Sequence, residues 1–367
     1  MPPHIVGKCD NVAPAGTLEN ITPAALDIAT WCWPGAKECT ADQIGTYGAH
    51  GLAIDPTDSG TLYLGTDRLG IWKTADCGSN WVKIDTGTHQ KELDSGRNWT
   101  IVIDPLDSRV IYTTPGYGAE GFYKSTDGGV NWDSMFPQNI QDSLPYGGFI
   151  ETISLDPSDH RHLLVTFHGP CSHSPTDGGD WQCMAESLDS ATTWRVISSP
   201  IGWSEGFGQT MIDSKTWFLS DGSGIYRTTD GGANWTKVHD KGASGHIFLA
   251  PDNTFFTGGY DMRQSKNGIT WNEIPGSPAV YSVNGSNAIV SDGTRLYTST
   301  GQYGGGEPKV GYYSFALLSD PSKWTPVFGS NHPLMQAGGS TLVYDPDHHL
   351  LYSTNLTAGI WRGVVPQ

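Results

Sequence analysis

The 367-residue chain is short of charge, and the charge it has is lopsided. Charged side chains make up 16% of it, with 21 Lys and Arg against 38 Asp and Glu, a net −17. That balance argues against nucleic acid as a partner, because phosphate-backbone binding needs clustered Lys and Arg. No apolar run approaches the ~20 residues of a membrane-spanning helix. No Cys-x-x-Cys occurs and the Cys and His spacings fit no zinc pattern, so a thiolate metal centre is not expected. Helical periodicity is nearly absent. Disorder is excluded from the other side, since 14 Trp and 15 Tyr are too many for a chain unable to bury a core.

What is abundant is turn chemistry, led by 47 Gly and 23 Pro. Six cysteines suggest an oxidising compartment. Cys32 with Cys39 and Cys171 with Cys183 are spaced to staple loops, leaving Cys9 and Cys77 as a longer tie. Asn-x-Ser/Thr sequons begin at Asn20, Asn98, Asn234, Asn284 and Asn355. Met1-Pro2-Pro3 does not open a signal peptide, so the chain reads as the mature part of a secreted, monomeric protein.

Two patterns repeat. The first is Thr74-Ala-Asp76-Cys-Gly78-Ser-Asn-Trp81, returning as Ser125 to Trp132, Ser187 to Trp194, Thr228 to Trp235 and, shortened, Ser265 to Trp271. It describes a hairpin turn in which Asp accepts turn N–H groups, Gly supplies positive φ and Trp packs inward. The second is a strand, an Asp-Pro turn and a strand, at Asp55, Asp104, Asp156 and Asp345, with looser copies near Met211, Ile247 and Ala288. Seven such pairs, roughly 40 to 55 residues apart, have the period of four-stranded blades. The expectation is an all-β, seven-bladed β-propeller in one domain, residues 1–367, with six blades as the alternative. Residues 1–45 would hold a stapled segment and a closing strand near Leu18, and 46–367 the blades.

The first pattern resembles the Asp-box (BNR) repeat of sialidase-like β-propellers over almost the whole chain. Propeller geometry then puts the Asp-Pro turns and the Asp boxes on one face. Their aspartates would be structural, and His160, His162, His348 and His349 solvated bystanders. The opposite face collects His50, His89, His168, His173, His246 and His332 with Arg68, Arg97, Tyr117, Tyr146, Glu151 and Glu205. In an acidic chain such a set suggests a pocket for an anionic ligand. The long segments 86–97, 137–148 and 167–183 lie there as well.

Three chemistries come into question for such a face. The sialidases that share the repeat carry an early Arg-Ile-Pro, which is missing here. A glycosidase needs two carboxylates, for which Glu151 with Glu205, or Asp67, Glu120 or Asp261, are available. Xyloglucan-cleaving Asp-box enzymes, which the chain also resembles, pair two such rings. Among secreted single-domain rings the chain looks most like rhamnose–glucuronate lyases. That resemblance implies β-elimination at a uronic acid of an acidic polysaccharide, a catalytic His and a calcium ion on the axis. In that reading His89, or else His50, is the base and Arg97 and Arg68 hold the carboxylate. Tyr117 or Tyr146 then serves the leaving oxygen, with Glu151, His168, Glu205, His246 and His332 contacting substrate. A non-catalytic glycan-binding ring is the remaining alternative.

Overall fold

A computed structural model describes residues 2–26, 48–119, 121–136, 150–171, 181–202, 208–242, 245–259, 261–280, 288–300, 312–329, 341–356 and 358–367. Its strands form seven four-stranded antiparallel sheets, which settles the blade count at seven. A short strand near the N-terminus, β1 (Leu18–Asn20), is spent on the last blade. Blade 1 is β2 (Ala49–Asp55), β3 (Asp58–Thr66), β4 (Ile71–Thr74) and β5 (Val82–Lys83). A short helix, α1 (Gln90–Ser95), leads into blade 2: β6 (Arg97–Ile103), β7 (Ile111–Gly116), β8 (Tyr123–Ser125) and β9 (Asp133–Ser134). Blade 3 is β10 (Ile150–Leu155), β11 (Leu163–Cys171), β12 (Trp181–Ser187) and β13 (Arg195–Gly202). Blade 4 is β14 (Gly208–Met211), β15 (Trp217–Asp221), β16 (Gly224–Thr228) and β17 (Thr236–His239). Blade 5 is β18 (Phe248–Leu249), β19 (Phe255–Thr257), β20 (Arg263–Ser265) and β21 (Asn272–Glu273). Blade 6 is β22 (Ile289–Ser291), β23 (Arg295–Ser299), β24 (Tyr313–Leu317) and β25 (Asp320–Pro326). Blade 7 is β26 (Thr341–Asp345), β27 (Leu350–Thr354) and β28 (Ile360–Val364), completed by β1.

The Asp turns explain why the blades hold. In blade 2, Asp127 accepts the backbone N–H of Val130 and Asn131, both at 3.0 Å, and the hydroxyl of Ser125 at 2.9 Å. The Trp132 indole then donates to Gly129 O at 2.8 Å and its ring is wholly buried. Thr74 and Asp76, and Thr228 and Asp230, repeat the arrangement. In blade 3 Ala191 stands where Gly is usual and takes φ 72. The Thr193 hydroxyl holds the Asp189 carboxyl below its ordinary value, as the Asn234 amide does for Asp230. Between neighbouring blades lie apolar layers, such as Tyr112, Phe122, Phe136, Val165 and Trp194 between blades 2 and 3.

Closure is antiparallel, with Leu18 opposite Gly363 and Asn20 opposite Trp361. Buried Arg362 binds it together. Its guanidinium donates to Glu19 at 2.8 Å, to Cys77 O at 2.6 Å and to Asn11 O at 3.0 Å. The Cys9–Cys77 disulfide ties the same N-terminal segment to blade 1. Cys183 is also disulfide-bonded, while the side chain of Cys171 and the whole Cys32–Cys39 segment lie outside the described residues.

Two histidines of the Asp-Pro face, His162 and His348, are not solvated bystanders, which corrects the reading above, while His349 is exposed as expected. His162 is 3% exposed, with its two ring nitrogens 2.9 Å from Asp156 and 2.9 Å from Glu186. His348 contacts Asp345 at 2.6 Å, His160 lies 3.2 Å from Asp104, and His349 meets the Tyr344 hydroxyl at 3.1 Å. His162 and His348 use both ring nitrogens on turn or segment acceptors, whereas among the described residues His160 Nδ1 makes no hydrogen bond. The segment 86–97, read as a loop, contains α1 instead; six residues are too few for periodicity to reveal.

Candidate functional site

Where one blade hands over to the next, the loop after its second strand bridges the entry of the next innermost strand. Three such bridges are described: Leu356 with Ala49, Gly259 with Val280, and Asp67 with Arg97. Two are apolar or small, so the fold does not require charge at this position. The third buries an acid and a base, Asp67 at 2% exposure and Arg97 at 3%.

The Asp67 carboxylate is held in place but poorly served. Its N–H donates to Gly48 O at 2.8 Å, and Arg68 N–H donates to Gly96 O at 2.9 Å, fixing the loop on both sides. Asp67 Oδ2 lies 3.8 Å from Arg97 Nε and Oδ1 lies 3.6 Å from Arg68 Nε. Among the described residues neither oxygen accepts a hydrogen bond. Burial therefore outweighs the two guanidiniums, and the Asp67 pKa is raised to about 6.

Around this carboxylate runs a line of rings. Arg97 stacks on Tyr117, 4.4 Å from its centroid, and on Trp99 at 5.4 Å. Trp99 lies 5.7 Å from Tyr117 on one side and 5.5 Å from His50 on the other. His50 and Trp99 are buried, while Tyr117 is 49% exposed and presents a ring to solvent. Asn98 positions this line from behind, its amide donating to Thr66 O and Leu93 O, both at 3.0 Å. Gly65 makes room for it, since a Cβ there would stand 2.4 Å from Asn98 O. Arg68 at φ 59 and Tyr117 at φ 53 are both left-handed.

A second ionic knot anchors the site from outside. Lys83 Nζ sits 2.8 Å from Asp94 on α1 and 3.4 Å from buried Asp85, whose Oδ1 accepts Ile71 N–H at 2.9 Å. Gly70, at φ 73, leaves space for both carboxylates; a Cβ would come within 2.3 Å of Asp85. Burial raises the Asp85 pKa to about 7, with Ile71 N–H and Lys83 opposing it and Asp94 adding to it. This knot joins the loop carrying Asp67 to the helix that leads into Arg97, and no sequence pattern had marked it.

The structure thus brings together His50, Arg68, Arg97 and Tyr117 with Asp67. His89 stands elsewhere: it caps α1 at φ 58 and packs on Tyr123 of β8, two strands outward from Arg97 in the same blade. Glu151 enters β10 at 1% exposure, and the Thr100 hydroxyl of β6 reaches its carbonyl oxygen at 3.5 Å. His246 precedes β18; desolvation lowers its pKa to about 4, a hydrogen bond with the Gln209 backbone opposing it. Tyr146, Glu205, His332 and the side chain of His168 fall outside the described residues. Among the described side chains, Cys9, Cys77 and His348 come within metal-ligand distance of one another, but both sulfurs are consumed by the disulfide.

The ring defines the class, a seven-bladed β-propeller, and comparison with known proteins adds chemistry. No protein-family model matches the chain. Over 225 residues it is 27% identical to the xyloglucanase Xgh74A of Acetivibrio thermocellus, covering 52% of this chain and 25% of that protein. A Paenibacillus xyloglucanase is 27% identical over 222 residues, 51% of this chain and 20% of its own length. The chain thus spans a quarter or less of the length of these relatives. In structure it is similar to a GH74 enzyme of Niastella koreensis, with a TM-score of 0.62 at 17% identity, over 87% of this chain and 52% of that one. It is equally similar to YCF48 bound to a D1 peptide, with a TM-score of 0.61 at 12% identity, over 97% and 99%. The lyase expectation is overturned by the relatives in sequence, which are glycoside hydrolases.

Proposed function

We propose that this propeller is the carbohydrate-acting ring of a secreted glycoside hydrolase of the xyloglucanase kind, with Asp67 as its proton-transferring carboxylate. One observation carries the reading: a buried carboxylate with a pKa near 6 at a blade junction where two other junctions use apolar or small residues. A carboxyl group that is neither fully ionised nor fully protonated in mildly acidic solution is suited to pass a proton to or from a glycosidic oxygen or a water. Arg97 and Arg68 stabilise its ionised form, and its burial screens it from solvent. Tyr117 offers an exposed aromatic face for a sugar ring. Hydrolysis needs a second carboxylate across the bond. Within this ring Glu151, at the entry of blade 3, takes that part.

Incubation with xyloglucan, followed by assay of new reducing ends, tests the reading. The wild-type chain is expected to release them, and Asp67→Asn to lose at least about 100-fold in rate while still binding the polymer in affinity electrophoresis. Binding by both proteins with no reducing ends from either would leave a glycan-binding ring. Full activity in Asp67→Asn would refute the assignment.

A further inference from the structure

Three histidines on the Asp-Pro face share a property that ordinary imidazole cannot satisfy. His4 has Nε2 2.6 Å from Asp347 and Nδ1 3.4 Å from Pro56 O. His348 has Nδ1 2.6 Å from Asp345 and Nε2 2.8 Å from Gly7 O. His162 has Asp156 and Glu186 on its two nitrogens, and the Arg195 guanidinium donates to the far oxygen of Glu186. In every case both ring nitrogens face acceptors. A neutral ring has a single N–H, so its second nitrogen would set a lone pair against an oxygen; only the imidazolium donates twice.

Their positions give this a structural meaning. His4 and His348 hold the N-terminal segment where it crosses from blade 7 to blade 1. There Ile5 N–H donates to Thr57 O at 2.7 Å and Ser59 N–H to Ile5 O at 3.2 Å. We propose that the seam closing the ring is latched by protonated His4, with His348 as a second clasp on the same segment and His162 as a counterpart within blade 3. The N-terminal segment then loosens from blades 1 and 7 as pH rises through neutrality.

The charged groups facing the latch are Asp345 and Asp347 of blade 7 and Asp58 of blade 1; the adjoining disulfide does not titrate. Those facing His162 are Asp156, Glu186 and Arg195, with the Trp217 ring against it. The Asp347 hydrogen bond raises the His4 pKa. For His162, burial works in the opposite direction and the two carboxylates override it. A histidine whose pKa rises on folding adds stability below its ordinary value near 6.5, and that stability is lost as pH climbs through the folded value.

Amide hydrogen exchange on the intact chain at about pH 5.5 and about pH 8, corrected for the intrinsic rate, reads the latch directly. Protection of Ile5 and Ser59 is expected to fall toward high pH by about tenfold per unit of pKa elevation, while the β6 and β10 amides hold. The double variant His4→Gln/His348→Gln keeps the disulfide tether. Its seam should exchange quickly at both pH values. Asp85→Asn, remote from the seam, controls for the pH response of buried carboxylates and should leave the Ile5 profile unchanged. A seam that keeps its protection at high pH, or a double variant that retains the wild-type pH response, would overturn the latch.

Discussion

Carboxylates at the two ends of the blades behave in opposite ways. On the turn face Asp189 and Asp230 sit in shells of donors, and their pKa values fall. Across the ring Asp67 and Asp85 are buried with too few donors, and theirs rise to about 6 and about 7. Both ends use the same residue type close to strand termini. Saturation by turn N–H and hydroxyl groups makes an aspartate a fastener. Burial against cations without saturation leaves it with a raised pKa, the property that the proposed role of Asp67 uses.

Substitutions can break that contrast, beginning with the largest effect. Asp67→Asn is expected to abolish turnover, as set out above, with the fold intact by circular dichroism. Asp156→Ala should do the reverse. It removes a buried acceptor of Ser158 N–H and of His162 and is expected to cost about 3 kcal/mol in denaturant unfolding, with kcat on xyloglucan unchanged. Asp85→Asn sharpens the comparison through pH. A carboxyl whose pKa is raised by folding takes up a proton in the native state. The contribution of Asp85 to stability therefore falls as pH rises from about 4 to about 7, and the amide variant should remove that component from the thermal-midpoint curve. Ala191→Gly is the smallest. Relieving φ 72 at a residue with a Cβ should stabilise blade 3 by about 0.5–1 kcal/mol, leaving catalysis untouched.

Much of the architecture could be read from residues alone, because it is written locally. The Asp-Gly-Asn-Trp turns are contiguous octets, and the closing strand shows itself as the short segment Leu18-Glu-Asn-Ile-Thr22 with the look of an outer strand. The site is legible only in part. Assigning loops to a face was enough to group Arg68, Arg97, Tyr117 and His50, since that grouping depends on strand order. What distinguishes Asp67 from the other buried aspartates among the described residues is its missing hydrogen bonds, a property of packing that has no sequence pattern. The same limit hid the Lys83–Asp85–Asp94 knot. It also made His162 look like a solvated turn residue, since its partners Asp156 and Glu186 are brought together by folding from 6 and 24 positions away.

The closure of blade 7 also bears on how the chain is made. The strand Leu18–Asn20 is synthesised about 340 residues before its partner Ile360–Val364. At 5–20 residues per second, the wait is on the order of 20–70 seconds. During that time a bare strand edge is open to foreign pairing. The Cys9–Cys77 bridge needs only blade 1, so it can form while most of the ring is still unmade. A bond that looks like reinforcement in the finished molecule would then act as a berth in the unfinished one, keeping the strand beside blade 1 until blade 7 arrives. Ring assembly in a reducing lumen should accordingly yield more oligomers joined strand to strand than assembly in an oxidising one.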